Sequence, residues 1–166
     1  MKDEKEVEQI SQFLLSHIDF LRELFAVKAS FSKFPQINLL KYLPLVQEMG
    51  IIDQGFEQGT VDRIFIGITK NLEKELRGVL SEKDMSRFQF YESIVRLAFY
   101  KYKATGVYPS TFESLKHLVE QNMLPNFSNA SWMPWRKEKL WTLAVNDLYT
   151  SNLGSMQALY QLNFKQ

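Results

Sequence analysis

Few residues of this chain are of a type and spacing that could do chemistry, and the best placed to hold a ligand are those of Ser81–Glu92, SEKDMSRFQFYE. A calcium loop of twelve residues offers oxygens from positions 1, 3, 5, 7, 9 and 12, the last from a bidentate Glu, and turns sharply at a glycine in position 6. With Ser81 at position 1, Glu92 falls at position 12 and Phe88 at position 8, the apolar place through which paired loops join. Lys83 and Met85 stand where oxygen ligands belong, and Ser86 replaces the glycine. A hard cation needs six to eight oxygens. The expectation is a loop that keeps the scaffold and has lost the metal, with Ser81 and Glu92 as the residual ligand candidates and no cofactor.

Catalytic material is thin. His17 and His117 each fall on a predicted helix, and Ser16 and Asp19 beside His17 point around that helix, whereas a triad is assembled by the fold. Glu73, Glu75, Glu82 and Asp84 alternate with Lys70, Lys74, Arg77 and Lys83, the pattern of a solvated charged face. There is no cysteine and no glycine-rich phosphate loop, so the reading is non-enzymatic. The net charge of +1 supplies no field for nucleic acid or an anionic membrane. The run from Trp132 through Trp135 and Arg136 to Trp141 is read as protein-facing: Trp132, Trp135 and Arg136 as interface anchors and Trp141 as a core residue of the last helix.

These residues need helices to position them. Apolar residues recur at helical spacing from Val7 to about Lys28, predicting one N-terminal amphipathic helix. A second helix is predicted from Gln36 to Met49, interrupted near Pro44 and stopped at Gly50. Short helices are predicted from Thr60 to Ile68 and within 71–78, and a longer one from Phe90 to Lys103 ending at Gly106. Ser110 and Glu113 form a capping-box pattern for the next, and a last helix runs from about Pro134 to Tyr160 with Gly154 weakening its middle. The expected organisation is one globular all-α unit of three segments: 1–29, the N-terminal helix; 30–125, the core; and 126–166, an aromatic connector with the C-terminal helix. The length suits a single domain, and no stretch reads as a signal peptide or a membrane span, which points to the cytoplasm.

Taken together, NLLKYLPLVQEMGIID, VDRIFIGI, RFQFYESIVRLAFYKY and LWTLAVNDLYTSNLGSMQALY resemble the calcium-free, calmodulin-like EF-hand modules of large ciliary and flagellar proteins of protists. The resemblance implies degenerate EF-hand-like helix pairs, the first with its loop at Asp53–Ile64 and the second at Ser81–Glu92, flanked by terminal amphipathic helices. It further implies a scaffold that binds other proteins of a cilium, flagellum or other cytoskeletal assembly; the alternative is a calcium-responsive regulator. Phe65, Phe90, Ile94 and Leu97 are expected to form the core and to floor a groove filled by the chain's own terminal helix or a partner's. Ser16-His17-Ile18-x-x-Leu21-Arg22-x-Leu24-Phe25 also aligns with Ser151-Asn152-Leu153-x-x-Met156-Gln157-x-Leu159-Tyr160, so adjacent copies of a repeat are among the possible partners.

Overall fold

The computed structural model describes residues 4–30, 35–70, 80–127 and 136–164. The fold is all-α, with one two-residue strand pair. Backbone contacts divide the chain into two compact units, residues 1–127 and 128–166, and each is described by itself.

In the first unit the N-terminal pattern yields two helices rather than one, α1 (Glu4–Ser16) and α2 (Ile18–Ala29). The break falls at His17. There Ser16 Oγ donates to Phe13 O at 2.8 Å, and His17 Nδ1 lies 3.0 Å from both Ser16 Oγ and Phe13 O. Side-chain hydrogen bonds of this local kind compete with the helical ladder, which spacing of apolar residues does not register. The break lets the two halves serve different neighbours. α2 buries Leu21, Leu24, Phe25 and Ala29, whereas α1 fully buries no residue.

The chain next forms β1 (Ile37–Asn38) and α3 (Leu39–Glu48). Asn38 is extended and its Oδ1 accepts from Lys41 N at 3.1 Å, satisfying one of the orphan amides of the first turn. α3 runs through Pro44 without interruption because Pro44 is on the exposed side of the helix. Gly50 ends it at φ +63°, and Ile51 N closes back on Val46 O at 3.2 Å, a six-to-one closure that needs the left-handed residue.

A tight turn follows, in which Asp53 and Phe56 exchange backbone hydrogen bonds at 3.2 Å and Asp53 Oδ1 accepts from Gly55 N. It leads into α4 (Gln58–Lys70). Asp53–Ile64 is therefore not a loop between paired helices: it is a turn plus the first half of α4, in which Ile64 is buried. The short helix predicted within 71–78 lies outside the described residues.

β2 (Asp84–Met85) pairs antiparallel with β1, Ile37 opposite Met85 and Asn38 opposite Asp84, and α5 (Arg87–Ala98) follows. The strand pair thus joins the residues just before α3 to those just before α5. The joining residue is Met85, fully buried, and not Phe88, which lies inside α5 and is 53% exposed. The helix begins earlier than the apolar spacing implies because Ser86 and Gln89 start it: Gln89 Oε1 accepts from both Ser86 N and Ser86 Oγ at 2.8 Å.

After α5 the helix widens into a π turn, Phe99–Lys103, and stops at Gly106, φ +78°. α6 (Thr111–His117), a π segment (Leu118–Met123) and α7 (Leu124–Asn126) then run in succession. The core is one cluster drawn from α2 to α6, the strand pair and the π segment 118–123, with Ile10, Phe13 and Leu14 of α1 packed against it. Its ring contacts include Phe25 with Phe90, 5.6 Å between centroids, and Tyr42 with Phe65, 5.5 Å.

The second unit, as far as it is described, consists of a π turn, Arg136–Leu140, and α8 (Leu143–Phe164), whose Thr142 Oγ1 accepts from Val145 N at 3.4 Å. No helix of the described residues is long and apolar enough to cross a membrane.

Candidate functional site

The strand pair joins the starts of α3 and α5, and residues 111–126 pack within the same unit. Leu115, Leu118 and Val119 are fully buried, α6 packs on both α5 and α1, and Met123 lines a small internal void with Tyr42, Leu45 and Met49 of α3 and Phe90, Ile94 and Leu97 of α5. Phe65, Phe90, Ile94 and Leu97 are all buried. A segment of the chain's own, 111–126, therefore occupies the surface on which an amphipathic helix could otherwise dock.

The occupying segment is tethered at both ends. At its start Ser110 Oγ accepts from Glu113 N at 3.1 Å, and Glu6 of α1 accepts from the amides of Thr111 and Phe112 at 2.5 and 3.2 Å. Lys103 stands 3.7 Å from the same carboxylate. Burial alone would raise the Glu6 pKa; the two amides and the Lys103 charge outweigh it and hold the carboxyl below its ordinary value. At the far end Asn122 Nδ2 donates to Gly50 O at 3.2 Å and Asn126 Nδ2 to Met49 O at 3.4 Å. Asn122 also accepts from Tyr102 Oη at 2.7 Å, and His117 Nδ1 lies 2.8 Å from Tyr108 Oη. Burial raises the Tyr102 pKa, and Asp53 and Tyr108 add to the rise, so the phenol stays protonated to donate this bond. His117 thus belongs to a clasp of rings, its centroid 4.9 Å from Tyr102 and 5.1 Å from Tyr108.

Ser81 and Glu92 are engaged separately. Ser81 Oγ donates to Asp84 Oδ2 at 2.9 Å and accepts from the amides of Lys83 and Asp84 at 3.1 Å, closing a local turn. Glu92 sits in the second turn of α5 and pairs with Arg96 one turn on. The register that treated them as the two ends of one loop fails because Arg87–Glu92 is already helix.

Two residues not among the candidates above hold the loops in place. Gln89 is 1% exposed; besides its bonds to Ser86 it donates through Nε2 to Ile68 O at 3.2 Å, tying the start of α5 to the end of α4. Lys101, in the π turn, is buried: its Nζ donates to Ile51 O at 2.8 Å, pairs with Asp53, and lies 5.5 and 5.6 Å over the rings of Phe56 and Tyr102. The hydrogen bond from Lys101 is the main cause of a lowered Asp53 pKa. At 100° per residue Lys101 continues the buried stripe of Phe90, Ile94 and Leu97, so the helical phase itself turns it inward, where a lysine needs a partner. The signal available in sequence was Asp53-Gln54-Gly55, a turn whose carboxylate would look for a cation.

Trp132 and Trp135 lie outside the described residues. Arg136 opens the π turn of the second unit and is exposed. Trp141 is not a core residue of a helix: it is 59% exposed in the bend between the π turn and α8, its amide donating to Arg136 O at 2.7 Å. That five-residue step breaks the helical phase on which its place in the apolar stripe depended.

α8 exposes leucines and rings along its length. At 100° per residue Leu148, Tyr149, Met156, Leu159 and Tyr160 fall on one side, with Asn152 and Asn163 among them and Leu153 at its border, and Asp147, Thr150, Ser151, Gly154, Gln157 and Gln161 on the other together with Leu143 and Leu162. Leu148, Tyr149, Leu153, Leu159 and Tyr160 are each more than half exposed. Thr150 and Ser151 bond back to the carbonyls of Asn146 and Asp147 one turn earlier, so they satisfy themselves on the helix. At its start a hollow of about 630 Å³ is lined by Leu140, Trp141, Leu143, Val145 and Tyr149.

No family model, no curated protein and no solved structure matches this chain.

Proposed function

We propose that this chain is a non-enzymatic scaffold module that works through contacts with other proteins of a larger assembly. The observation that carries the reading is α8, a helix of 22 residues with exposed rings and leucines along its length and one formal charge, Asp147. Exposed apolar surface at this density marks a protein contact. The hollow beside Trp141 adds a ring-lined socket of the kind that anchors a partner's side chain. The experiment is photo-crosslinking in cells from a benzoyl-phenylalanine at Leu153, with Ser151, about 160° around the helix, as the control position. Discrete protein adducts from Leu153 and none from Ser151 are expected; equal labelling from both, or none from either, would sink the reading.

The first unit is proposed as a degenerate EF-hand-like pair. What supports this is the antiparallel pairing of Ile37 with Met85 just ahead of α3 and α5. If those two are the joining residues of position 8, Lys41 and Gln89 fall at position 12, and neither is the bidentate Glu a calcium loop requires. The groove of such a pair is here filled by residues 111–126, so the module is read as constitutive rather than calcium-switched. Thermal unfolding with millimolar calcium and again with chelator separates this from a calcium-responsive regulator: no shift is expected, whereas a ligand at a hundred times its Kd would add about 2.7 kcal/mol. A ciliary or cytoskeletal home is the setting that the sequence resemblance supplies for such a scaffold.

A further inference from the structure

On the outer side of α4 and α5 lies a cleft of about 210 Å³ lined by Thr60, Arg63 and Ile64 of α4, Arg96 of α5 and Tyr100 of the π turn. Its floor is apolar, Ile64 being buried, and no carboxylate lines it. Arg63 Nη2 donates to Thr60 Oγ1 at 3.0 Å, which fixes its guanidinium along the first turns of α4. Arg96 is held from its other side by Glu92 through Nη2. Its Nη1 lies toward α4 at Gly67, 3.8 Å from where an added Cβ would stand, so the guanidinium lies along the neighbouring helix.

We propose that this cleft is a binding site for a single carboxylate, presented by an acidic side chain of a partner protein. Two features lead to that ligand. Two guanidiniums, a hydroxyl and a phenol line one small space, and guanidinium forks match the two oxygens of a carboxylate. Local charge selects between oxyanions: Arg63 and Arg96 contribute two positive charges and Glu92 removes one, leaving +1, which a carboxylate neutralises and a phosphate dianion overshoots. The proposal names a partner chemistry for the scaffold reading but uses a surface of the first unit and not α8.

The test is nitrogen-15 NMR of the full chain, following the Nε–Hε signals of Arg63 and Arg96 and the Gly67 amide. The probe is the peptide acetyl-Leu-Glu-Leu-Phe-amide; its Gln counterpart and inorganic phosphate are titrated at the same ionic strength. Saturable shifts of these three signals with the Glu peptide are expected, at least about tenfold weaker with the Gln peptide, as for loss of a charge-assisted hydrogen bond. Arg63→Gln and Arg96→Gln should abolish them while the remaining amide spectrum is preserved; Arg63→Lys, which keeps charge and loses the fork, should weaken binding. Phosphate binding as tightly as the Glu peptide would overturn the assignment, as would no shift up to 10 mM peptide, about the weakest binding this approach resolves. Failure here together with adducts from Leu153 would remove the cleft and leave the scaffold; the reverse would remove α8 as the contact and keep the cleft.

Discussion

Residues 16–25 and 151–160 share one pattern of apolar positions and meet opposite fates. In α2 Leu21 and Leu24 are 0% exposed and Phe25 packs on Phe90; in α8 the matching Met156, Leu159 and Tyr160 are all exposed. The lesson concerns what a helical stripe encodes. It specifies that a face is to be covered and says nothing of what covers it. α2 finds α3, α5 and β1 within its own unit, whereas the described part of the second unit offers α8 only a single π turn.

The contrast can be broken where it is largest. Phe90→Ala should cost about 3–5 kcal/mol and Leu21→Ala about 2–5 kcal/mol in urea unfolding, since both side chains leave a cavity in a core that touches them on all sides. Met156→Ala, the counterpart of Leu21→Ala, should cost under about 0.5 kcal/mol. Equal losses from Leu21→Ala and Met156→Ala would show that α8's face is covered after all.

A smaller effect is expected at Glu6, whose carboxylate caps the segment in the groove. Glu6→Gln should cost about 1 kcal/mol, in the range of lost helix caps, and should speed amide exchange at Thr111 and Phe112 before that of Leu118. Uniform acceleration along 111–126 would mean the cap governs the whole segment.

Acid should act through the same tethers. Glu6 and Asp53 both have folded pKa values below their ordinary 4.5 and 3.8, so the stability each contributes is fully present above those values and is lost as pH falls through the folded pKa. The melting temperature should hold from neutrality to about pH 5 and then fall, and Asp53→Asn should flatten the fall. An unchanged acid limb in Asp53→Asn would show that the Lys101 pair contributes little.

Smallest of all is Tyr42→Phe. Tyr42 Oη is buried without a hydrogen bond of good geometry, Ser93 lying near enough only to soften the burial that pushes the phenol pKa up. Removing a buried hydroxyl that lacks a partner should leave stability unchanged within about 1 kcal/mol or raise it. A loss beyond that would reveal a bond to Ser93 worth counting.

Local chemistry carried much of the architecture. The stop at Gly50 follows from the one residue that tolerates φ +63°, and the start of α6 from Ser110, whose hydroxyl takes the Glu113 amide. The all-α class and the buried face of α2 likewise follow from spacing, because apolar residues at helical intervals have one economical way to leave water. These are interactions between residues a few positions apart, and a chain contains them before it folds.

What only the tertiary structure decided involves residues far apart. Ile37 faces Met85, Gln89 reaches Ile68, Lys101 reaches Ile51 and Asp53, and Glu6 caps a helix beginning at Thr111. Each partner was chosen by packing, and no pattern of spacing along the chain names it. The cleft at Arg63 and Arg96 belongs to the same class. Read along the chain, those two arginines are surface charges on separate helices; only the crossing of α4 with α5 makes them one site, because the angle and register of two helices are set by every side chain between them.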